Sequence, residues 1–166
     1  MVDQQLVQRG KEWLESLMTL VGLPAQVGVD GEKLETEGSY WLTIDDSNLS
    51  PEQVQAVLGA EGTVLDAIQY LANTTLNLGQ PEEAQKAYTI ELAGYRVRRQ
   101  AELQSMADQA AQQVRETGEV FEMAGLSAAE RRQVHTYLKS FDDLETESRG
   151  REPDRRLVVK LAASEP

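Results

Sequence analysis

The chain has 166 residues, with 16 Lys/Arg against 28 Asp/Glu, a formal net charge of −12, one histidine and no cysteine. Without cysteine there is no disulfide framework, thiolate nucleophile or cysteine-ligated zinc, and a single imidazole is a poor start for a transition-metal site, so no metal and no cofactor is expected. No apolar run reaches the ~18–20 residues that span a bilayer, and Met1-Val2-Asp3-Gln4-Gln5 lacks the layout of a secretion signal, which predicts a cytoplasmic protein without membrane insertion.

From Leu6 to Val21, apolar residues recur at 6, 7, 13, 14, 17, 18, 20 and 21, a helical spacing that Gly22 and Pro24 terminate. Val27 and Val29 alternate before the tight-turn dipeptide Asp30-Gly31, and Tyr40, Leu42 and Ile44 alternate after Gly38, predicting two strands. Ser50-Pro51-Glu52-Gln53 starts a helix: Ser50 caps, Pro51 takes the first helical position and Gln53 closes a capping box. Gly59 keeps that helix short. After Gly59-Ala60-Glu61-Gly62, a longer helix carries Val64, Leu65, Ile68, Leu71, Ala72 and Leu76 on one stripe until Gly79-Gln80-Pro81 ends it. Tyr88, Ile90 and Leu92 alternate as a strand. Trp13 and Trp41 read as core aromatics, with Trp41 out of phase with its neighbours. Helix, strand, strand, helix, helix, strand over residues 5–93 describes a self-contained α+β unit.

Gly94 precedes a long polar helix with Leu103, Met106, Ala107, Ala110 and Val114 as its buried stripe, ended by Thr117-Gly118. A short strand at 119–123 leads to Ser127-Ala128-Ala129-Glu130, a second capping box, and a helix whose core stripe is Val134, Leu138 and Phe141. On it Arg131 and His135, four residues apart, share one side beside the stripe, while Arg132, Thr136 and Lys139 lie further toward solvent. Two strands, around 144–148 and 155–161, are joined by Arg149-Gly150-Arg151-Glu152-Pro153. In the last, Leu157, Val159 and Leu161 face one way, and Arg156, Val158 and Lys160 the other. Residues 162–166 read as a frayed tail.

Charge is unevenly spread. Residues 1–95 hold 15 Asp/Glu against 4 Lys/Arg, a net −11, whereas residues 96–166 hold 13 against 12, a net −1. Residues 131–160 contain eight Lys/Arg, in clusters at 131–139 and 149–160. Phosphate binding rests on basic side chains, so a nucleic-acid face belongs there. Arginine offers a planar fork of donors, and histidine stacks or donates, which suits the pair to a phosphate or a base edge. A Gly-x-x-Gly turn between two helices can also bring backbone N–H groups against phosphates, a weak signal alone. Asp45-Asp46 and Asp142-Asp143 supply too few oxygens for a divalent site, and His135 has no evident nucleophile partner, so no enzyme is expected.

Gly59-Ala60-Glu61-Gly62 followed by Leu65-Asp66-Ala67-Ile68-Gln69-Tyr70-Leu71 resembles the KH domain of the bacterial Jag/KhpB (EloR) family, and Ile90 through Arg99 resembles the junction after it. Glu130-Arg131-Arg132-Gln133-Val134-His135, Thr146-Glu147-Ser148-Arg149-Gly150 and Pro153-Asp154-Arg155-Arg156 resemble that family's second module, the R-3-H domain. The resemblance implies an α+β chain: a type II KH domain (α-β-β-α-α-β) over residues 5–94, then a small R-3-H domain with a three-stranded sheet over 95–161, its long leading helix included. It implies a post-transcriptional regulator holding single-stranded RNA or DNA through Arg131 and His135, with Arg132, Arg155 and Arg156 as added contacts. The Gly59, Ala60, Glu61 and Gly62 turn would be a weakened KH loop. In the alternative, the acidic KH unit docks a second small KH-domain protein. Two departures bear on this: the family carries a basic residue beside its first loop glycine where this chain has Ala60-Glu61, and a tyrosine where it has Asp154.

Overall fold

A computed structural model describes residues 3–30, 33 and 38–163. The chain divides into two compact units, residues 1–96 and 97–166. Both are mixed α/β, and each contains a three-stranded sheet.

In the first unit, helix α1 (Gln4–Leu20) begins where the Asp3 carboxylate accepts the N–H groups of Gln5 and Leu6, satisfying two donors that a helix start leaves open. It buries Leu14 and Met18. Strands β1 (Val27–Asp30) and β2 (Ser39–Ile44) pair antiparallel, and β2 pairs parallel with β3 (Ala87–Leu92), giving the order β1-β2-β3. Gly31, of the expected Asp30-Gly31 turn, lies outside the described residues. Because side chains alternate along a strand, the register that sets Tyr40 beside Tyr88, Leu42 beside Ile90 and Ile44 beside Leu92 puts all six into one core. Trp41 faces the other way and is nevertheless 5% exposed, with the Lys33 ammonium 3.5 Å from its ring centroid. Trp13 is half-buried against the core.

The two helices between β2 and β3 are α2 (Pro51–Leu58), which starts with the Ser50–Gln53 capping box, and α3 (Thr63–Asn77). One side of α3 lies along the outer edge of β3. Asn73 accepts the Tyr88 N–H and donates to the Tyr88 carbonyl, both at 2.8 Å. Asn77 treats Lys86 the same way at 2.9 and 2.8 Å, and Gln69 accepts the Ile90 N–H at 3.0 Å. Residues 69, 73 and 77 recur every four positions, so a single helix face supplies side-chain amides to a strand edge that lacks a neighbouring strand. Buried Glu91 accepts the N–H groups of Leu92 and Arg96 and so caps the start of α4 (Tyr95–Thr117).

The second unit holds the rest of α4, β4 (Phe121–Met123), α5 (Ala128–Leu138), β5 (Leu144–Arg149) and β6 (Arg156–Leu161), with strands antiparallel in the order β4-β6-β5. Leu103, Ala107, Ala110, Ala111 and Val114 of α4 pack with Val134 and Leu138 of α5 and with Leu157 and Val159 of the sheet. The opposite sheet face carries Arg156, Val158 and Lys160, as the alternation predicts. Val158 is fully buried there, because it sits on the central strand with Glu122 and Glu147 beside it in register. The ion pairs Arg156–Glu122, Lys160–Glu145 and Arg149–Glu147 populate the same face, and long charged side chains of this kind can bury apolar surface beneath their stems. The tail begins later than expected, since the Ala162 N–H donates to the Asp143 carbonyl at 2.9 Å. Residues 164–166 of that tail lie outside the described residues.

The Asp142-Asp143 pair is engaged otherwise than as a cation site. Arg115 forks onto Asp143 at 2.6 and 2.9 Å, and this hydrogen bonding holds the carboxyl below its ordinary value of 3.8 while raising the guanidinium. A carboxyl with a lowered folded-state value stabilises the fold above its unfolded value and loses that contribution as pH falls through the lower one. In a carboxyl NMR titration, Arg115→Gln should therefore bring the Asp143 midpoint back up toward 3.8; an unmoved midpoint would show that the pair does not form in solution.

Candidate nucleic-acid interface

The start of α5 is fixed by its capping box. The Glu130 N–H donates to Ser127 Oγ at 3.2 Å, and the Ser127 N–H donates to the Glu130 carboxylate at 2.9 Å. Glu130 also accepts from Arg99 Nε at 2.7 Å, which ties the helix start to α4. With the start fixed, the helical period places Arg131 in line with buried Val134 and Leu138 and His135 one turn further on.

Arg131 is only 4% exposed. Its guanidinium donates to the Leu126 carbonyl at 2.7 Å and the Arg155 carbonyl at 3.4 Å, and it pairs with the Glu152 carboxylate. Those bonds meet the requirement that a buried charge be paired and hydrogen-bonded. His135 is half-buried, and its Nδ1 shares a hydrogen bond with Thr146 Oγ1 on β5, the donor being set by the tautomer. This bond leaves Nε2 without a partner among the described residues.

Ala128, Arg131, Arg132 and His135 from α5, Thr146, Glu147 and Ser148 from β5, and Arg155 from the β5–β6 connection line one cleft of about 300 Å³. Stretches separated in sequence thus converge in space. Glu147 is balanced by Arg149, whose Nε donates to it at 2.7 Å. Arg132 and Arg155 are exposed and form no ion pair among the described residues. The cleft therefore offers two uncompensated guanidiniums, an imidazole edge and the hydroxyls of Thr146 and Ser148. Neighbouring Arg156 is not among the lining residues. Strand alternation turns it to the other sheet face, where it donates to Glu122 at 3.0 Å.

Gly59, Ala60, Glu61 and Gly62 lie in the first unit as a short 3-10 turn. Gly59 (φ 72°), Glu61 (φ 55°) and Gly62 (φ 75°) all adopt the left-handed region. Its carbonyls are used internally: Gln55 donates to Gly59 at 3.2 Å, Thr63 Oγ1 to Ala60 at 2.8 Å and the Tyr95 hydroxyl to Glu61 at 2.7 Å. The Tyr95 ring occupies the space that a side chain at Gly62 would need. A glycine that in principle admits a phosphate here admits a tyrosine.

Residues 101–161 match the R-3-H domain family. The chain is 25% identical over 158 residues to the RNA-binding protein KhpB of Clostridium symbiosum, covering 95% of this chain and 67% of that one. It is 24% identical over 155 residues to the RNA-binding protein KhpB of Bacillus subtilis (strain 168), covering 92% and 69%. Over most of its length the chain is thus similar to proteins of the Jag/KhpB family. A further relative, the RNA-binding protein KhpB of Lactiplantibacillus plantarum, is 25% identical over 150 residues, covering 90% of this chain but 43% of its own length. The chain spans about two thirds of two of these relatives and less than half of the third. Its R-3-H match ends with the last residue of β6, so all eight cleft-lining residues lie inside the match and the Gly59–Gly62 turn lies outside it.

Sequence reasoning missed Glu152, which engages Arg131, and Tyr95, which fills the space at Gly62. The only signal for Glu152 was an acid between Arg151 and Arg155, in a segment where phosphate binding favours bases. Tyr95 carried no signal by itself, because its role depends on a contact with a turn more than thirty positions upstream.

Proposed function

We propose that this chain is a Jag/KhpB-family protein and holds single-stranded RNA or DNA in the cleft of its second unit, without catalysing a reaction on it. The observation that carries this reading is the pair of exposed, uncompensated guanidiniums, Arg132 and Arg155, beside His135 in one cleft of an otherwise acidic protein. Guanidiniums bind phosphate oxygens through parallel N–H donors, and the free imidazole edge can donate to or stack on a base. That three relatives are named RNA-binding proteins supports the choice of ligand. Among the described residues no helix is long and apolar enough to cross a membrane. The proposed setting is the cytoplasm, and the proposed role is regulation of RNA.

The first unit is proposed to be a type II KH domain over residues 5–94, followed by the R-3-H domain over 95–161. Its α-β-β-α-α-β order, the parallel β2–β3 pairing and a Gly-x-x-Gly turn between α2 and α3 support that reading. The turn contributes weakly to binding, because Glu61 puts a carboxylate beside it and Tyr95 closes the approach at Gly62.

Titration of the protein into a fluorescein-labelled ten-nucleotide single strand tests the assignment. Two phosphates held by Arg132 and Arg155 predict a slope of log affinity against log salt of about −1.4, at roughly −0.7 per phosphate for single strands. Absence of binding at low salt, or binding indifferent to salt, would rule the cleft out.

A further inference from the structure

The arginine that heads the 131–135 pair has almost no surface to offer a ligand. Its side chain is 5% exposed, and its guanidinium is committed to Glu152 and to the carbonyls of Leu126 and Arg155. Two of those three partners belong to the six-residue connection between Arg149 and Arg156, which are paired across β5 and β6. Gly150 (φ 87°) starts that connection, and the Asp154 N–H donates to the Arg151 carbonyl at 2.9 Å to close a turn within it. Among the described residues no other hydrogen bond or ion pair ties the connection to α5. Arg131 and Glu152 therefore form its attachment to the helix, and the residue at its end is Arg155, one of the two uncompensated guanidiniums of the cleft.

We propose that Glu152 is a positioning residue for the nucleic-acid cleft, acting through Arg131 to hold the 150–155 connection so that Arg155 faces the ligand. This inference rests on the reading of the cleft as a single-strand site. Its content is a reversal of sign. Glu152 carries a negative charge, and its side chain is 58% exposed, so Coulomb's law alone says that removing the charge strengthens phosphate binding. Positioning says the opposite. Without the carboxylate, the Arg131 fork loses an acceptor, the connection is left on α5 by only the 3.4 Å bond to the Arg155 carbonyl, and more of the ordering of Arg155 must be done at the moment of binding. Arg131 shares this role: a planar fork is required to reach a carboxylate and two carbonyls at once, which the point charge of a lysine does not reproduce.

The test is the titration of the full chain with the same labelled ten-nucleotide strand, applied to Glu152→Gln, Arg131→Lys, Arg155→Ala and the Glu152→Gln/Arg155→Ala double variant. Glu152→Gln is expected to weaken binding about five- to twentyfold, the size of an ordinary site-to-site coupling. In the Arg155→Ala background the same substitution is expected to change nothing further, because the residue through which it acts is gone; a general loss of structure would weaken binding in both backgrounds. Arg131→Lys is expected to match Glu152→Gln, and it carries the inference should Glu152→Gln not fold. If Glu152→Gln binds as tightly as the unaltered chain or more tightly, while Arg155→Ala weakens binding, the positioning role is overturned and the cleft stands. If Arg131→Lys retains full affinity, Arg131 is a simple charge and the role is likewise overturned. Failure of the unaltered chain to bind the strand at all overturns the reading of the cleft and the inference with it.

Discussion

Replacing Gly62 by alanine is expected to lower the stability of the first unit by about 2–4 kcal/mol, the sum of a left-handed backbone forced on a residue with a Cβ and a collision that must be relieved. The backbone there has φ 75°, and a Cβ would overlap the Tyr95 Cζ and hydroxyl oxygen. Tyr95 cannot swing away without cost, because its hydroxyl donates to the Glu61 carbonyl at 2.7 Å. Both tryptophans, Trp13 and Trp41, lie in the first unit, so denaturant unfolding followed by indole fluorescence reads that unit selectively. Shortening the ring with Tyr95→Ala in the Gly62→Ala background should return the collision part of the loss and leave the backbone part. A loss below about 0.5 kcal/mol, the range of ordinary surface substitutions, would mean that the turn is not held as described.

Arg132→Ala combined with Arg155→Ala is expected to weaken single-strand binding about 10- to 100-fold at low salt and to make the salt slope shallower by about 1.4. The slope is the more telling quantity. Lost phosphate contacts release fewer counterions, whereas a misfolded cleft lowers the competent fraction, and with it the apparent affinity, without altering the slope. Arg156→Ala is the internal comparison, since that side chain adjoins Arg155 in sequence yet pairs with Glu122 on the opposite sheet face. It should leave affinity within about twofold, as for a charge outside the ligand's reach. If Arg156→Ala costs as much as the double variant, the nucleic acid lies on the other face of the sheet.

Local chemistry made much of this legible in advance. Ser50–Gln53 and Ser127–Glu130 each form both hydrogen bonds of a capping box, because the box is a contact between residues three apart and needs nothing else. The alternation of Tyr40, Leu42 and Ile44, and of Tyr88, Ile90 and Leu92, likewise marks strand faces that meet in one core. Long-range chemistry was not legible. Arg131 was expected beside the core with its charge toward a ligand, but its buried position depends on Glu152, 21 residues away in a connection whose path no periodicity describes. The burial of Val158 was not legible either, because alternation says which face a residue takes and not what covers that face. Asn73 and Asn77 carried no signal, since an asparagine in a helix has no characteristic partner until a strand edge is placed against it.

The amide ladder from α3 onto β3 changes what proton exchange would report. A strand at the margin of a sheet ordinarily turns alternate amide protons to water, and these exchange early. Here the N–H groups of Lys86, Tyr88 and Ile90 are taken by Asn77, Asn73 and Gln69. Their exchange requires the helix side chains to rotate away or α3 to lift off, so their rates measure the docking of a helix and not the unzipping of two strands. Kinetically, β3, though an edge strand of this sheet, is expected to exchange as an interior one.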